Sequence, residues 1–150
     1  RSDGAWLPLW FGNQHTADKT NPVYGTARVT CYLEDGLACS GVDHSMRDRM
    51  ARLVSKAQTY LAMQQNDDGS WGAQRGVAGS IEETAVAVSA LVTKEPLKCL
   101  KGLDWIERAS AAHGLKPKPI GLYFATLWYH EKMYPQVFYL DALRRIREYL

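Results

Sequence analysis

The sequence predicts an all-α fold made of helical-hairpin repeats, and three observations support this prediction. Apolar residues recur about every 3.6 residues in several segments, most regularly between residues 45 and 65. Amphipathic segments alternate with segments that have no polar face, as expected when outer helices cover inner ones. Helix pairs follow one another at a spacing of roughly 40–45 residues, which is typical of hairpins stacked in a solenoid or a closed ring. The apolar inner helices favour the ring.

Six helices are predicted, alternating inner and outer, and boundary signals separate them. Asn21 followed by Pro22 marks the start of the first helix. Ser80 and Glu83 form a capping box, in which both side chains satisfy free N–H groups at a helix start. Pro135 separates the last two helices. The predicted ranges are 22–34, 45–65, 80–93, 97–112, 119–133 and 136–149.

Composition limits the class of protein. The chain has 150 residues, of which 46% are hydrophobic, so it is one domain's worth of chain with enough apolar surface for a core. The formal net charge is +2 and the charges are interleaved, which gives no argument for nucleic-acid binding. Three cysteines at unrelated spacings predict reduced thiols in a reducing compartment. No run approaches the ~18 apolar residues of a membrane-spanning helix.

A Gly/Asp/Trp turn occurs twice. Residues 68–71 read D-G-S-W, and residues 3–6 repeat the D-G-x-W pattern near the start of the chain. Asn, Asp and Gly tolerate unusual backbone angles, and the tryptophan offers an apolar body with one N–H to satisfy. The first turn has no helix before it, so we expect the chain to be a segment of a longer protein.

The helix and turn at residues 56–71 resemble the QW repeat of squalene–hopene and oxidosqualene cyclases. Residues 3–6 followed by 21–26 resemble the D-G-S-W…N-x-x-Y-G-T segment of that family. Residues 80–91 resemble its S-x-T-A-x-A-x-x-A-L helix, and residues 120–135 resemble its C-terminal aromatic segment. The QW matches are Lys56, Ala57, Tyr60, Leu61, Gln65, Gly69 and Trp71.

This resemblance covers the whole chain and implies a fold and an activity. The family fold is an (α/α)6 barrel beside a second barrel, and residues 1–150 would form the C-terminal part of one barrel in a longer parent chain. Family members cyclise squalene or oxidosqualene by protonation and lie on membrane surfaces without spanning them. The resemblance therefore implies a squalene-like polyprenoid substrate, peripheral association with the cytoplasmic face of a membrane, no cofactor and no metal.

Aromatic residues on the predicted inner helices suit the chemistry of polyene cyclisation. The reaction needs an apolar cavity in which aromatic faces stabilise cations, by about 2 kcal/mol or more each when desolvated. By resemblance, Tyr24 matches the cavity-lining tyrosine of the family's Y-G-T motif, and Tyr129 matches a cavity tyrosine near the C-terminus. The alternative is that these aromatics are ordinary core residues. The cavity candidates are Tyr24, Tyr123, Phe124, Trp128 and Tyr129.

The chain departs from the family at the acid. The family's proton donor is an Asp in a D-x-D-D motif, which this sequence lacks, so we expect the acid upstream of Arg1 and no catalytic residue here. Bacterial members place a His beside that acid. This chain has Gln64 there, which can donate a hydrogen bond but cannot carry charge. Glu82 and Glu83 replace the usual Ser-Gln and are interpreted as partners of the helix dipole. The histidines show no metal-ligand spacing.

Two functions from different classes remain open. The first is the C-terminal catalytic-barrel portion of a triterpene cyclase, which is inactive by itself because it lacks the acid. The second is a non-catalytic helical toroid or half-toroid that binds a lipid or a protein. An isolated half-ring would show its apolar inner helices to water, so we expect a dimer or larger assembly. The predicted contact residues are Val86, Leu91, Phe124 and Trp128.

Overall fold

The computed structural model describes residues 1–149, and more than half of the chain is helical. The elements in chain order are α1 (Pro22–Leu37), α2 (His44–Met63), α3 (Ile81–Leu91), α4 (Pro96–His113), β1 (Ile120–Leu122), β2 (Leu127–Tyr129) and α5 (Tyr134–Tyr149). A short 3-10 turn at Tyr123–Ala125 lies between the two strands. The described residues therefore form a mainly helical fold with one small antiparallel sheet.

Side-chain caps fix the starts of the first three helices. Asn21, Asp43 and Ser80 each accept a hydrogen bond from a backbone N–H in the first turn of α1, α2 and α3. The capping box is confirmed in part, because Ser80 Oγ accepts from Glu83 N at 3.0 Å. The second half of the box is absent. The Ser80 N–H donates to Trp71 O instead, and the Glu83 carboxylate binds tertiary partners.

The centre of the molecule is α3, because α1, α2, α4 and α5 all pack against it. Every residue from Ile81 to Leu91 is buried, as the absence of a polar face predicts. Val86 and Leu91 are 2% and 0% exposed. Contrary to the prediction, these two residues cannot join copies of the chain, since the surrounding helices leave no face of α3 open.

Three helices begin at the same end of the molecule. Before α1, Asn21 Nδ2 donates to Glu83 Oε1 in the first turn of α3, at 3.0 Å. The Phe11 ring contacts Tyr24 near the start of α1 and Tyr134 at the start of α5, with ring centroids 5.2 and 6.3 Å apart. The starts of α1, α3 and α5 are therefore neighbours.

The predicted helix at 119–133 is wrong, because this segment forms a β-hairpin. In the antiparallel pair of β1 and β2, Gly121 lies opposite Trp128. The strands approach so closely that a Cβ on Gly121 would lie 1.9 Å from Leu127 O. Thr126 closes the loop with a left-handed φ of 53°. The four cavity candidates of this segment therefore stand on a hairpin and not on an inner helix.

The last helix differs from its prediction in place and in start. It was expected as an outer helix, but its first turns pack beside the start of α1, where the ring centroids of Tyr24 and Phe138 lie 6.0 Å apart. Pro135 does not end a helix here. It lies in the first turn of α5, where the missing N–H of proline is not needed. Among residues 1–149, no helix combines the length and the apolar character needed to cross a bilayer.

Candidate functional site

Four aromatic side chains form a connected group where α1 and α5 begin. We call this group the aromatic face; its members are Phe11, Tyr24, Tyr134 and Phe138. Ring centroids lie 5.2 Å apart for Phe11–Tyr24, 6.0 Å for Tyr24–Phe138 and 5.2 Å for Tyr134–Phe138. The rings are tilted or edge-on, as aromatic pairs prefer. Only Phe138 is fully buried, so the group has a side that reaches solvent.

The first turns of two helices place these rings. Asn21 Oδ1 accepts a hydrogen bond from Tyr24 N at 3.1 Å, which fixes Tyr24 in the first turn of α1. Tyr134 opens α5, and Phe138 follows four residues later on the same side of the helix. Phe11 comes from the loop before α1 and pairs with Leu122 of β1 as an isolated bridge. Local capping and helix geometry therefore explain most of the aromatic face.

Four of the five predicted cavity residues lie on the hairpin. Tyr123 and Phe124 belong to the 3-10 turn, and Trp128 and Tyr129 belong to β2. The Phe124 ring contacts Tyr123 and Trp10 edge-on, with centroids 5.9 and 5.8 Å apart. Phe124 is 61% exposed. Ring contacts thus bring only Tyr24, of the five candidates, into the aromatic face.

Sequence reasoning missed the other three members of the aromatic face. Tyr134 and Phe138 carried a usable signal, since they stand four residues apart in an amphipathic helix. Phe11 carried none, because its contacts depend on how the first loop folds over the helix starts.

The aromatic face already holds one cation of the chain. The Arg28 guanidinium lies 5.5 Å from the ring centroid of Phe138 and 4.9 Å from that of Tyr32. A positive charge over a ring is attracted by the ring's quadrupole. Arg28 lies over Phe138 in this way, and its charge also acts on the nearby Tyr24 phenol.

The two phenols of the aromatic face are neutral at ordinary pH. Burial raises the pKa of Tyr24 to about 12, and burial also raises the pKa of Tyr134. A neutral phenol offers a ring and a weak hydrogen-bonding group but no anionic oxygen. The aromatic face therefore presents neutral rings, with no anionic group among its own side chains.

A buried carboxyl group lies at the start of α3, and sequence reasoning did not foresee its partners. Glu83 Oε1 accepts hydrogen bonds from Asn13 Nδ2 at 2.6 Å and Asn21 Nδ2 at 3.0 Å. Ser80 Oγ donates to the other oxygen, and Lys118 Nζ lies 3.7 Å from it. The interpretation of Glu83 as a helix-dipole partner is incomplete, because its carboxylate has these four side-chain partners.

Glu82 is buried beside it with fewer partners. Its Oε1 accepts from Lys118 N at 2.8 Å, whereas its Oε2 is buried without a hydrogen-bond partner in the described chain. Burial raises the pKa of Glu82. The backbone contact ties the segment after α4 to the start of α3.

Gln64, at the position next to the family's acid, serves a local purpose in this structure. It is the C-cap residue of α2, and its side-chain oxygen accepts from Arg75 N at 3.0 Å. Within residues 1–149, the recorded partner of this side chain is thus a loop amide and not a carboxyl group.

The QW residues connect helices. Gln65 Nε2 donates to Gly69 O and to Lys98 O, both at 2.9 Å. Trp71 Nε1 donates to Leu61 O at 2.8 Å. These bonds tie α2, the turn and α4 together, which is a structural role.

The QW positions Lys56 and Ala57 face different ways on α2. Ala57 is 0% exposed and belongs to the core, whereas the Lys56 side chain is exposed. The turn at residues 3–6 packs closely against the Lys56 carbonyl. A Cβ on Gly4 would lie 2.7 Å from Lys56 O.

Across the part of the chain that the structure describes, no group of three or more His, Cys, Asp or Glu side chains is placed to hold a metal ion. No protein-family model, curated protein or solved structure matches this chain.

Proposed function

We propose that this chain is the cavity-forming C-terminal part of a squalene–hopene cyclase-like enzyme. In the parent protein it would complete an (α/α)6 barrel with the rest of the chain. The observation that carries the proposal is the aromatic face, which the first turns of α1 and α5 and the loop residue Phe11 build together. Its half-buried rings would form one wall of a cavity, and the rest of the parent chain would form the opposite wall.

The chemistry of cyclisation matches this face. An acid protonates one double bond of squalene, and positive charge then moves along the hydrocarbon as rings close. Each aromatic ring that meets a desolvated cation stabilises it by about 2 kcal/mol or more, which is a factor of roughly thirty in rate. Tyr24 can offer its ring face to such a charge, and its phenol is neutral, with a pKa that burial raises to about 12.

The acid itself would come from another part of the parent chain. The D-x-D-D pattern is absent from residues 1–150, and Gln64 binds a loop amide. This segment would therefore supply cavity wall and leave the protonation to residues outside it.

The two D-G-x-W turns support membership of a larger ring. The turn at residues 68–71 packs on α4, and the turn at residues 3–6 packs on α2 in the same way. A unit that docks each turn on the next outer helix can be repeated, and repetition of hairpins closes a toroid.

We expect the parent protein to act at a membrane surface. Squalene is a hydrocarbon that resides in bilayers, so the parent would take it up at the cytoplasmic face as a peripheral protein. Exposed apolar side chains fit contact with a membrane or with the rest of the parent. They include Leu7, Leu9, Trp10, Phe124 and Leu127.

A second candidate function is a non-catalytic helical module that binds a polyprenoid lipid. The engagement of Gln64 by Arg75 N favours it, because the position beside the acid is used for loop structure. Such a module would hold squalene on the same aromatic face without changing it.

Squalene turnover separates the two functions. The parent polypeptide and the 150-residue chain are each incubated with squalene, and extracted lipids are analysed by gas chromatography and mass spectrometry. We expect cyclised product from the parent and none from the shorter chain. The control is a parent whose D-x-D-D acid is replaced by asparagine. Squalene bound but unchanged by the parent would favour the non-catalytic module, and product from the short chain would contradict the placement of the acid.

A further inference from the structure

A cleft of about 710 Å³ lies on the side of the molecule that α4 forms. The loop at residues 76–81, the second half of α4 and the segment at residues 114–119 make its walls. It shares no residue with the aromatic face. Its volume falls within the ~300–1,000 Å³ that is usual for small-molecule sites.

The walls of the cleft are mainly apolar. The Trp105 indole N–H donates to Asp68 Oδ2 at 3.0 Å, so its polar edge is already satisfied and its ring is left as a hydrophobic wall. The apolar lining residues are Val77, Ile81, Trp105, Ala109, Pro117 and Pro119.

The polar residues that line the cleft are basic or uncharged. His15, His113 and Lys116 line it and are exposed, and no Asp or Glu is among its lining residues. Lys116 makes no side-chain ion pair within residues 1–149. A basic rim over an apolar floor is complementary to a molecule with one anionic head and an apolar tail.

Hydrogen bonds and an ion pair hold the wall opposite α4 in place. Lys118 N donates to Glu82 Oε1 at 2.8 Å, and Lys118 Nζ donates to Ala78 O at 2.7 Å and lies 3.7 Å from Glu83 Oε2. These bonds fasten the segment after α4 to the loop before α3. The cleft is therefore preformed, which lowers the cost of ordering it around a ligand.

We infer that this cleft binds a single-chain anionic amphiphile of the fatty-acid kind. The carboxylate would lie at Lys116 and the two histidines, with the chain against Trp105 and Ala109. A single chain suits the volume better than a two-chain phospholipid does. The inference concerns a different surface from the aromatic face and does not depend on cyclase activity.

Calorimetric titration with matched probes of one chain length tests the inference. The probes are decanoate, decanol and decyltrimethylammonium, each below its aggregation limit, with acetate as the head group alone. We expect saturable binding of decanoate and at least tenfold weaker binding of the other three. Decanol or decyltrimethylammonium binding as tightly as decanoate would overturn the role of the basic rim, and acetate binding as tightly would overturn the role of the apolar walls.

Three variants locate the binding. Lys116→Glu should weaken decanoate binding by about three- to tenfold, because an attraction at the rim becomes a repulsion. Ala109→Trp should abolish binding by filling the cleft. Arg52→Glu, on the exposed side of α2, makes the same change in net charge and should leave binding unchanged.

Circular dichroism and thermal unfolding first show that each variant is folded. A folded Ala109→Trp variant that binds decanoate like the wild type would overturn the inference. Equal weakening by Arg52→Glu and Lys116→Glu would also overturn it, because binding would then follow net charge and not this cleft.

Discussion

The two D-G-x-W turns have the same backbone but different surroundings. In the turns at residues 3–6 and 68–71, Gly4 and Gly69 have positive φ values of 93° and 95°. In each turn the Asp Oδ1 accepts from the amide two residues later, at 3.1 and 3.0 Å. The two turns therefore share both their backbone shape and the aspartate hydrogen bond within it.

Both turns also dock on an outer helix through their glycine. A Cβ on Gly4 would lie 2.7 Å from Lys56 O in α2, and a Cβ on Gly69 would lie 2.8 Å from Lys101 O in α4. Only glycine allows so close an approach of turn and helix backbone.

The amide of each tryptophan has the same partner as well. Trp6 N donates to Thr26 Oγ1 at 2.9 Å, and Trp71 N donates to Thr84 Oγ1 at 3.0 Å. These threonines lie in α1 and α3, so the turn at residues 3–6 joins α2 to α1 and the turn at residues 68–71 joins α4 to α3.

The difference lies in what precedes the turn. Trp71 is 0% exposed, and its indole N–H donates to Leu61 O near the end of α2. Trp6 is half-buried and makes no indole hydrogen bond within residues 1–149. The motif fixes the turn, whereas the helix before it decides how much stability the tryptophan contributes.

Truncation of the two tryptophans should show the largest difference in stability between the two turns. We expect Trp71→Ala to lower the free energy of unfolding by about 3–5 kcal/mol, as removal of a fully buried aromatic does. Trp6→Ala should cost less than about 2 kcal/mol, because part of its ring is already in water. Urea unfolding followed by circular dichroism measures both. Equal losses would contradict the role given to α2.

Substitution of the two turn glycines should instead cost both turns a similar amount of stability. We expect Gly69→Ala and Gly4→Ala each to cost more than about 2 kcal/mol, since strain at positive φ adds to a clash with helix backbone. Gly76→Ala is the matched control, with φ of 85° and no atom within 4 Å of its added Cβ. It should cost only about 1–2 kcal/mol. The same urea titration decides, and three equal losses would show that docking contributes nothing.

Acid sensitivity separates the turns more finely. Burial alone would raise the pKa of Asp68, but hydrogen bonds from Ser70 and the Trp105 indole outweigh it and lower that pKa. The pKa of Asp3 is lowered mainly by its bond from the Ala5 amide. Because both folded pKa values are depressed, the stabilisation is present above the unfolded pKa of about 3.9 and is lost as pH falls through the folded pKa.

Replacement of each aspartate by asparagine measures this contribution. Asp68→Asn should reduce the fall in unfolding free energy between about pH 5 and about pH 2. The reduction should be less than about 1 kcal/mol for so exposed a group. Asp3→Asn should change the slope less, since no indole binds Asp3. Unfolding free energies across that pH range test it. A slope for Asp68→Asn equal to that of the wild type would remove Asp68 from the account.

The sequence predicted those helices that combine an apolar period with a boundary signal. The starts of α1, α2, α3 and α4 agree with prediction to within one residue. Asn21 with Pro22, and Ser80, act at helix starts through the side-chain and backbone chemistry expected of them. Caps act over a few residues, so they can be read without knowledge of the tertiary structure.

The hairpin could not be predicted in the same way. Residues 120–129 form a short apolar run, and period alone cannot distinguish a short strand from a buried helix in such a run. Its aromatic side chains favour strands. The bridge from Phe11 to Leu122 also supports the strand, and that contact joins residues far apart in sequence.

The candidate site was predictable only where a motif marks it. Tyr24 follows an N-cap and belongs to a recognisable Y-G-T pattern. The partners of Glu83 could not be foreseen, because Asn13 and Lys118 come from loops on either side of it in sequence. Tertiary placement decides both the carboxylate's environment and most of the aromatic face.

Turnover and product distribution of the proposed parent enzyme with a changed Tyr24 test the central proposal, that the aromatic face stabilises a cation. We expect Tyr24→Phe, which keeps the ring, to retain turnover within about threefold, and Tyr24→Ala to lower it by roughly thirtyfold and release incompletely cyclised products. Tyr149→Ala, at a residue that is 49% exposed and lies at the opposite end of α5 from the aromatic face, is the control and should change neither quantity. A folded Tyr24→Ala enzyme with wild-type turnover and products would contradict the account.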